Sequence, residues 1–231
     1  MGNNKVYSKF TISHLGTGPV IRSYSKDDVV KGFVIELTGD TIMDNITRIL
    51  EYVYDNIDGF RGGYMKVKRG DYYGYIDLKL EEVVKPIYDS AEQVKECFAC
   101  VKKDNKYGYL KMEDGCKPYM WTEIEFEKAF SFSNGMGCVI KDGLFGYISN
   151  SFETKYAIPY KYEDAYDFNE EGYAVVGING KYGMINKNGE FILQPVFDEY
   201  YDTYSYGNNY NASIGNKHYW LHSDGTYEEA Q

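Results

Sequence analysis

The chain has 231 residues, 43% of them apolar, and a formal net charge of −10. Wholesale disorder is thereby excluded, and 35 acidic against 25 basic side chains with no basic cluster exclude a general nucleic-acid binder. No stretch approaches the roughly 18 apolar residues of a membrane span, and MGNNKVYSKFTISHLG lacks the apolar run of a secretory signal, so the expected setting is soluble and cytoplasmic, away from membranes.

Tyrosine is the compositional outlier, with 26 copies against 12 Phe and 2 Trp. It suits half-buried sheet positions, where one ring face packs and the hydroxyl stays wet. Abundant glycine (24) and scarce proline (5) point to many tight turns.

The first sixty residues read as strands at 6–13, 20–24 and 29–37. A helix starts at Thr41, with Ile42, Ile46, Ile49, Leu50, Val53 and Ile57 on one apolar stripe. Thr41 and Asp44 resemble a capping box, and Asp58-Gly59 ends the helix. Gly16-Thr17-Gly18-Pro19 lacks the Gly-Lys-Ser/Thr tail of a phosphate loop. Residues 1–60 are expected to form a β-plus-one-helix cap over the exposed edge of a repeat array, or a separate recognition element.

Residues 61–231 repeat. An aromatic-Gly-aromatic-aliphatic string recurs as Tyr73-Gly74-Tyr75-Ile76, Tyr107-Gly108-Tyr109-Leu110, Phe145-Gly146-Tyr147-Ile148 and Tyr182-Gly183-Met184-Ile185, and decays to His218-Tyr219-Trp220-Leu221. Anchor positions lie 34, 38, 37 and 36 residues apart. Eleven residues before the anchor stand Gly63, Gly135 and Gly172, with Cys97 in the second copy and Asn208 in the last. After it come Pro86-Ile87-Tyr88-Asp89, Pro159-Tyr160-Lys161-Tyr162-Glu163 and Pro195-Val196-Phe197-Asp198, with a looser Pro118-Tyr119-Met120-Trp121.

The fourth copy shows the local logic. Asn179-Gly180 and Asn188-Gly189 bracket a short strand, and Asn-Gly favours the type I′ turn because both central residues need positive φ. Each copy of about 37 residues is then a three-stranded antiparallel meander. The anchor glycine lets a neighbouring ring or backbone come close, and the proline interrupts ladder pairing. The string from Lys181 to Gly189, with Pro195-Val196-Phe197-Asp198 after it, resembles the bacterial WG-repeat family, with Tyr or Phe where that family prefers Trp. The resemblance implies an all-β array of variable copy number and no catalytic residue set. The expectation is an all-β open twisted stack of about five meanders, with a five-bladed propeller as the alternative.

Chemistry is sparse. Cys97 and Cys100 point to opposite faces of a strand and cannot share a metal; His14, His218 and His222 form no motif with a nucleophile. No metal or cofactor is expected, and no enzyme activity. The acids and rings after each proline are the candidate binding residues: Glu163, Asp164 and Asp167, then Asp198, Glu199 and Asp202, with Tyr200, Tyr201, Tyr204 and Tyr206. They suit a protein-interaction module with a basic protein partner, in one version an immunity protein that binds a toxin. The alternative is a carbohydrate- or cell-wall-binding repeat protein, suggested by Tyr219-Trp220-Leu221.

Overall fold

The computed structural model describes residues 9–15, 18–24, 53–113, 115–201, 210–222 and 224–230. β1 (Lys9–Leu15) and β2 (Gly18–Tyr24) form an antiparallel hairpin with Ile12 opposite Ile21. The strand expected at 29–37 and most of the helix expected from Thr41 lie outside the described residues. Ile57, the last residue of the expected helical stripe, stands instead in a strand, β3 (Asn56–Arg61), opposite Val67. An isoleucine serves either pattern, and pairing with the next strand decides it.

Five four-stranded antiparallel sheets come next in chain order. The first joins β3 to β4 (Tyr64–Arg69), β5 (Tyr72–Asp77) and β6 (Glu82–Tyr88). The second holds β7 (Ser90–Ala91), β8 (Phe98–Lys103), β9 (Lys106–Lys111) and β10 (Tyr119–Met120). The third holds β11 (Lys128–Ala129), β12 (Met136–Lys141), β13 (Leu144–Ser149) and β14 (Ile158–Tyr162). The fourth holds β15 (Asp164–Ala165), β16 (Tyr173–Ile178), β17 (Lys181–Asn186) and β18 (Phe191–Phe197). The fifth holds β19 (Glu199–Tyr201), β20 (Tyr210–Ile214), β21 (Lys217–Leu221) and β22 (Tyr227–Glu229). The expected meander is the last three strands of each sheet. The fourth strand, which precedes it, is in four of the sheets only two or three residues long, too short to leave a periodic trace in sequence.

The chain divides into two compact units: residues up to Asp104 with Leu110–Met120, and Asn105–Tyr109 with Trp121 onward. In the first, Val53, Tyr54, Met65, Val67 and Ile76 pack one core. In the second, one core gathers Tyr147, Ile158, Tyr162, Phe168 and Val176, and another Val175, Met184, Phe197, Tyr200 and Leu221.

The proline lies inside the third strand of the meander, not beyond it. Tyr73 pairs with Tyr88 and Tyr75 with Val84, so Lys85-Pro86-Ile87 bulges out opposite Gly74. The same shift sets 159–161 opposite Gly146 and 194–196 opposite Gly183. The bulge tolerates a residue without an N–H. It also presses on the anchor glycine: a Cβ on Gly183 would meet the Leu193 carbonyl oxygen at 2.6 Å, and one on Gly74 that of Val84 at 2.4 Å. The close approach expected of this glycine is to backbone at these two positions, and at Gly146 to the Tyr160 ring at 2.6 Å as well as the Ile158 carbonyl oxygen at 2.8 Å.

Copies are tied by two further devices. The aromatic after the anchor glycine reaches into the next copy: Tyr109 donates to the Phe130 carbonyl at 2.6 Å, Tyr147 to that of Tyr166 at 2.7 Å, and Tyr75 to that of Glu92. Then an aromatic-acid pair closes each junction. The ring (Tyr54, Tyr88, Phe126, Tyr162 or Phe197) is buried. The acid accepts a hydrogen bond from a turn N–H of the next hairpin: Asp55 from Gly70, Asp89 from Asp104, Glu127 from Gly143, Glu163 from Gly180 and Asp198 from Gly215. In the second copy the pair is Phe126-Glu127, so Pro118-Tyr119-Met120-Trp121 is not the equivalent of the other proline strings.

The turn chemistry is as expected at Asn179-Gly180, with φ of 52° and 67°, and at Asp142-Gly143, with 52° and 74°. Asn188-Gly189 differs. Only Gly189 has positive φ, and the Asn186 side chain organises the loop by accepting from the Asn188 and Glu190 N–H groups at 2.9 and 3.1 Å. That loop spans 187–190, too long for a two-residue type I′ turn. Cys97 takes φ of 65° where Gly63, Gly135 and Gly172 have 83°, 83° and 88°, so it fills the glycine position of its copy.

Candidate protein-interaction site

β15 and β19 begin the fourth and fifth sheets, directly after the bulged strands, and this placement brings the acids and rings of both copies together. Asp164 is the centre. Its carboxylate accepts from the hydroxyls of Tyr182 at 3.1 Å and Tyr166 at 3.3 Å. Gly177, opposite Tyr182 in the β16–β17 ladder, makes this possible: a Cβ there would stand 3.1 Å from that of Asp164 and 3.2 Å from the Tyr182 ring. Tyr200 then packs edge-on to Tyr166 at 4.5 Å between ring centres, with Tyr182 at 6.1 Å.

The next residue points the other way. Tyr201 is 39% exposed, whereas Tyr200 is 9% exposed and belongs to the core. The Tyr201 hydroxyl donates to Glu199, which also accepts from the Ser213 hydroxyl at 3.4 Å. Burial, then the neighbouring carboxylates of Asp164, Glu163 and Glu199, raise the pKa of Tyr182. The Glu199 hydrogen bond does the same for Tyr201. Both phenols therefore stay protonated and donate to the neighbouring carboxylates. Such a surface offers an incoming Lys or Arg an oxygen to pair with and a ring face to lie on.

The other expected site residues divide. Glu163 and Asp198 are engaged in holding turns, and Asp198 also pairs with Lys181. They add negative charge but are fixed by the fold. Asp167 is exposed beyond the cluster. Asp202, Tyr204 and Tyr206 lie outside the described residues. Tyr219, part of the string that suggested carbohydrate binding, is half-buried and packs between Phe197 and Tyr227 at 5.7 Å from each.

Sequence reasoning missed Tyr166 and Tyr182, whose roles follow from register alone. It also missed a signal that was available. Residues 121–231 contain 17 Asp and Glu against seven Lys and no Arg, while 53–120 contain twelve of each sign. The net charge of the chain resides in its last copies, where the tyrosine–carboxylate cluster lies.

The cysteines differ in exposure: Cys97, in the turn before β8, and Cys116 are exposed, whereas Cys100 in β8 and Cys138 in β12 are buried. Burial pushes the Cys100 thiol up to about 12 and raises that of Cys138 as well.

A family model for the WG-containing repeat matches at residues 73–107, 120–145, 145–182 and 182–217. The chain belongs to the WG-containing repeat family. In this WG-repeat chain three of the four matched segments run from one anchor to the next, and all four cross a junction between copies. A comparison with curated proteins found no match. Among solved structures, Kluyveromyces lactis Hsv2p is 12% identical with a TM-score of 0.45, over 94% of this chain and 74% of that one. A second Kluyveromyces lactis Hsv2 structure, with its complete loop 6CD, gives 10% identity and a TM-score of 0.43, with 73% of the WG-repeat chain and 59% of that one covered. PorZ of Porphyromonas gingivalis, a surface component of the type-IX secretion system, gives 8% identity and a TM-score of 0.35, with 97% of the WG-repeat chain and 33% of that one covered.

Proposed function

We propose that this WG-repeat chain is a non-catalytic protein-interaction module, and that its last two copies present an acidic, tyrosine-rich face to a basic protein. The observation that carries the reading is the cluster around Asp164, in which the hydroxyls of Tyr166 and Tyr182 converge on one carboxylate within the half of the chain that bears all the net charge. Hot spots favour tyrosine, and complementary charge speeds encounter with the partner. In its sharpest form the module is a cytoplasmic immunity protein: it covers the cationic surface of a toxin and thereby blocks the toxin's own anionic substrate.

Affinity capture from native lysate at low and high salt tests this. The expected result is a basic protein that is retained at low salt and released at high salt. Capture of acidic proteins only, or of none, contradicts it.

A further inference from the structure

A cleft of about 700 Å³ lies in the second unit, between the third and fourth sheets. It is far from apolar. Asn134, Asn150, Asn188, Thr154 and Tyr156 line it with amides and hydroxyls, and Glu153 and Lys187 add one charge of each sign.

One wall of the cleft is a long connection. Between β13 and β14 the chain runs through 150–157, against 78–81 between β5 and β6, 112–118 between β9 and β10, 187–190 between β17 and β18 and 222–226 between β21 and β22. The extra length is not loose. Phe152 packs edge-on against the buried Trp121 at 4.4 Å, Lys155 lies over the same indole at 4.5 Å, and the indole N–H donates to the Ser149 carbonyl at 3.1 Å. The opposite wall is equally fixed: Asn186 holds the loop that presents Asn188. On the third side the Asn134 amide donates to the Phe168 carbonyl at 2.7 Å, tying the turn of one copy to the next. Preformed walls spare a ligand the entropy of ordering them.

Within these walls four polar groups have no partner among the described residues: the side chains of Asn150, Glu153, Lys187 and Asn188. Their charges cancel, so neither an anion nor a cation is favoured by the lining as a whole. What remains is a set of planar amides and a carboxylate able to donate to and accept from adjacent hydroxyls, beside the half-exposed ring of Tyr156. The volume falls in the range of roughly 300–1,000 Å³ usual for small-molecule sites, but such sites are mostly apolar. A ligand for this one must be neutral and densely hydroxylated.

We propose that this cleft binds a neutral mono- or disaccharide, as a site separate from the acidic face. Saturation-transfer difference NMR on the full chain tests it, with glucose, galactose, mannose and N-acetylglucosamine and their β1–4 and α1–4 disaccharides as probes. At least one sugar should receive transfer on its ring protons. The transfer should persist in Tyr201→Ala, on the acidic face, and affinity should fall about tenfold in Asn188→Ala, equivalent to one hydrogen-bonded pair. If Asn188→Ala melts earlier than the parent, Asn150→Ser on the facing wall takes its place. Absence of transfer from every sugar overturns the proposal. So does an affinity left unchanged by both substitutions, or transfer that is abolished by acetate or methylammonium at equal concentration.

Discussion

The hydroxyl of Tyr147 donates to the carbonyl of Tyr166 at 2.7 Å, from one copy of the repeat to the next. Tyr109 and Tyr75 make the same reach one and two copies earlier. All three rings are buried, and burial raises the Tyr75 and Tyr147 pKa well above the ordinary value. Each is therefore a fixed donor, and the repeat is held at these junctions by a side chain that belongs to the sheet before.

Removing the hydroxyl leaves the receiving carbonyl without its donor. Tyr147→Phe is expected to lose about 1–2 kcal/mol of stability, read as a lower urea midpoint at unchanged slope. Tyr109→Phe should lose at least as much, because its hydroxyl also lies 3.1 Å from the Cys138 carbonyl.

The fourth copy breaks the pattern and compensates. Met184 stands where the first three copies have tyrosine, and Tyr200 fills the position held elsewhere by Ala91, Ala129 and Ala165. Met184 and Tyr200 share one core. Met184→Tyr alone should overpack it at a cost of about 1–3 kcal/mol. Tyr200→Ala alone should open a cavity at a cost of about 3 kcal/mol. The double variant is expected to unfold at a higher denaturant concentration than the sum of the two losses allows.

Asp198 makes the junction to the fifth copy sensitive to acid. Lys181, then the Gly215 N–H, hold its pKa below the ordinary value. A lowered folded-state pKa means that the contribution is full above the unfolded value near 4 and is lost as pH falls through the folded one. The melting temperature of the parent should therefore drop more steeply below about pH 4 than that of Asp198→Asn. The difference should shrink in salt, since the group is exposed.

The thiols should divide by burial. Cys97 and Cys116 are exposed, and Cys100 and Cys138 are buried with raised pKa. A thiol reagent at neutral pH is expected to label the first two quickly and the second two only on unfolding. Four fast thiols would contradict the packing of β8 and β12.

Much of the repeat was legible in sequence because its marks are steric necessities. The anchor glycine, the positive-φ position filled by Cys97, and Asn179-Gly180 each admit few residue types, so they recur as letters. The proline string was legible but read one step late, since a bulge inside a strand and a turn after it look alike in one dimension. The acids were seen as a surface, and their first member in each copy proves to be a turn cap. Asp and Glu satisfy a backbone N–H as well as they face solvent, and only the folded arrangement separates the two. The site itself was half legible. Tyr201, Glu199 and Asp164 were named, but Tyr200 turns into the core, and Tyr166 and Tyr182 join through strand register that no local pattern encodes.

Binding of a basic protein to the face around Asp164 and Tyr201 is tested most directly by the affinity of the captured partner for the parent chain and for the Asp164→Asn, Tyr201→Ala double variant, measured by calorimetry at two salt concentrations. The expected outcome is at least a tenfold loss in the variant and a flatter dependence on salt, with the melting temperature kept. Equal affinity and equal salt dependence in the two chains would show that the partner does not bind this face.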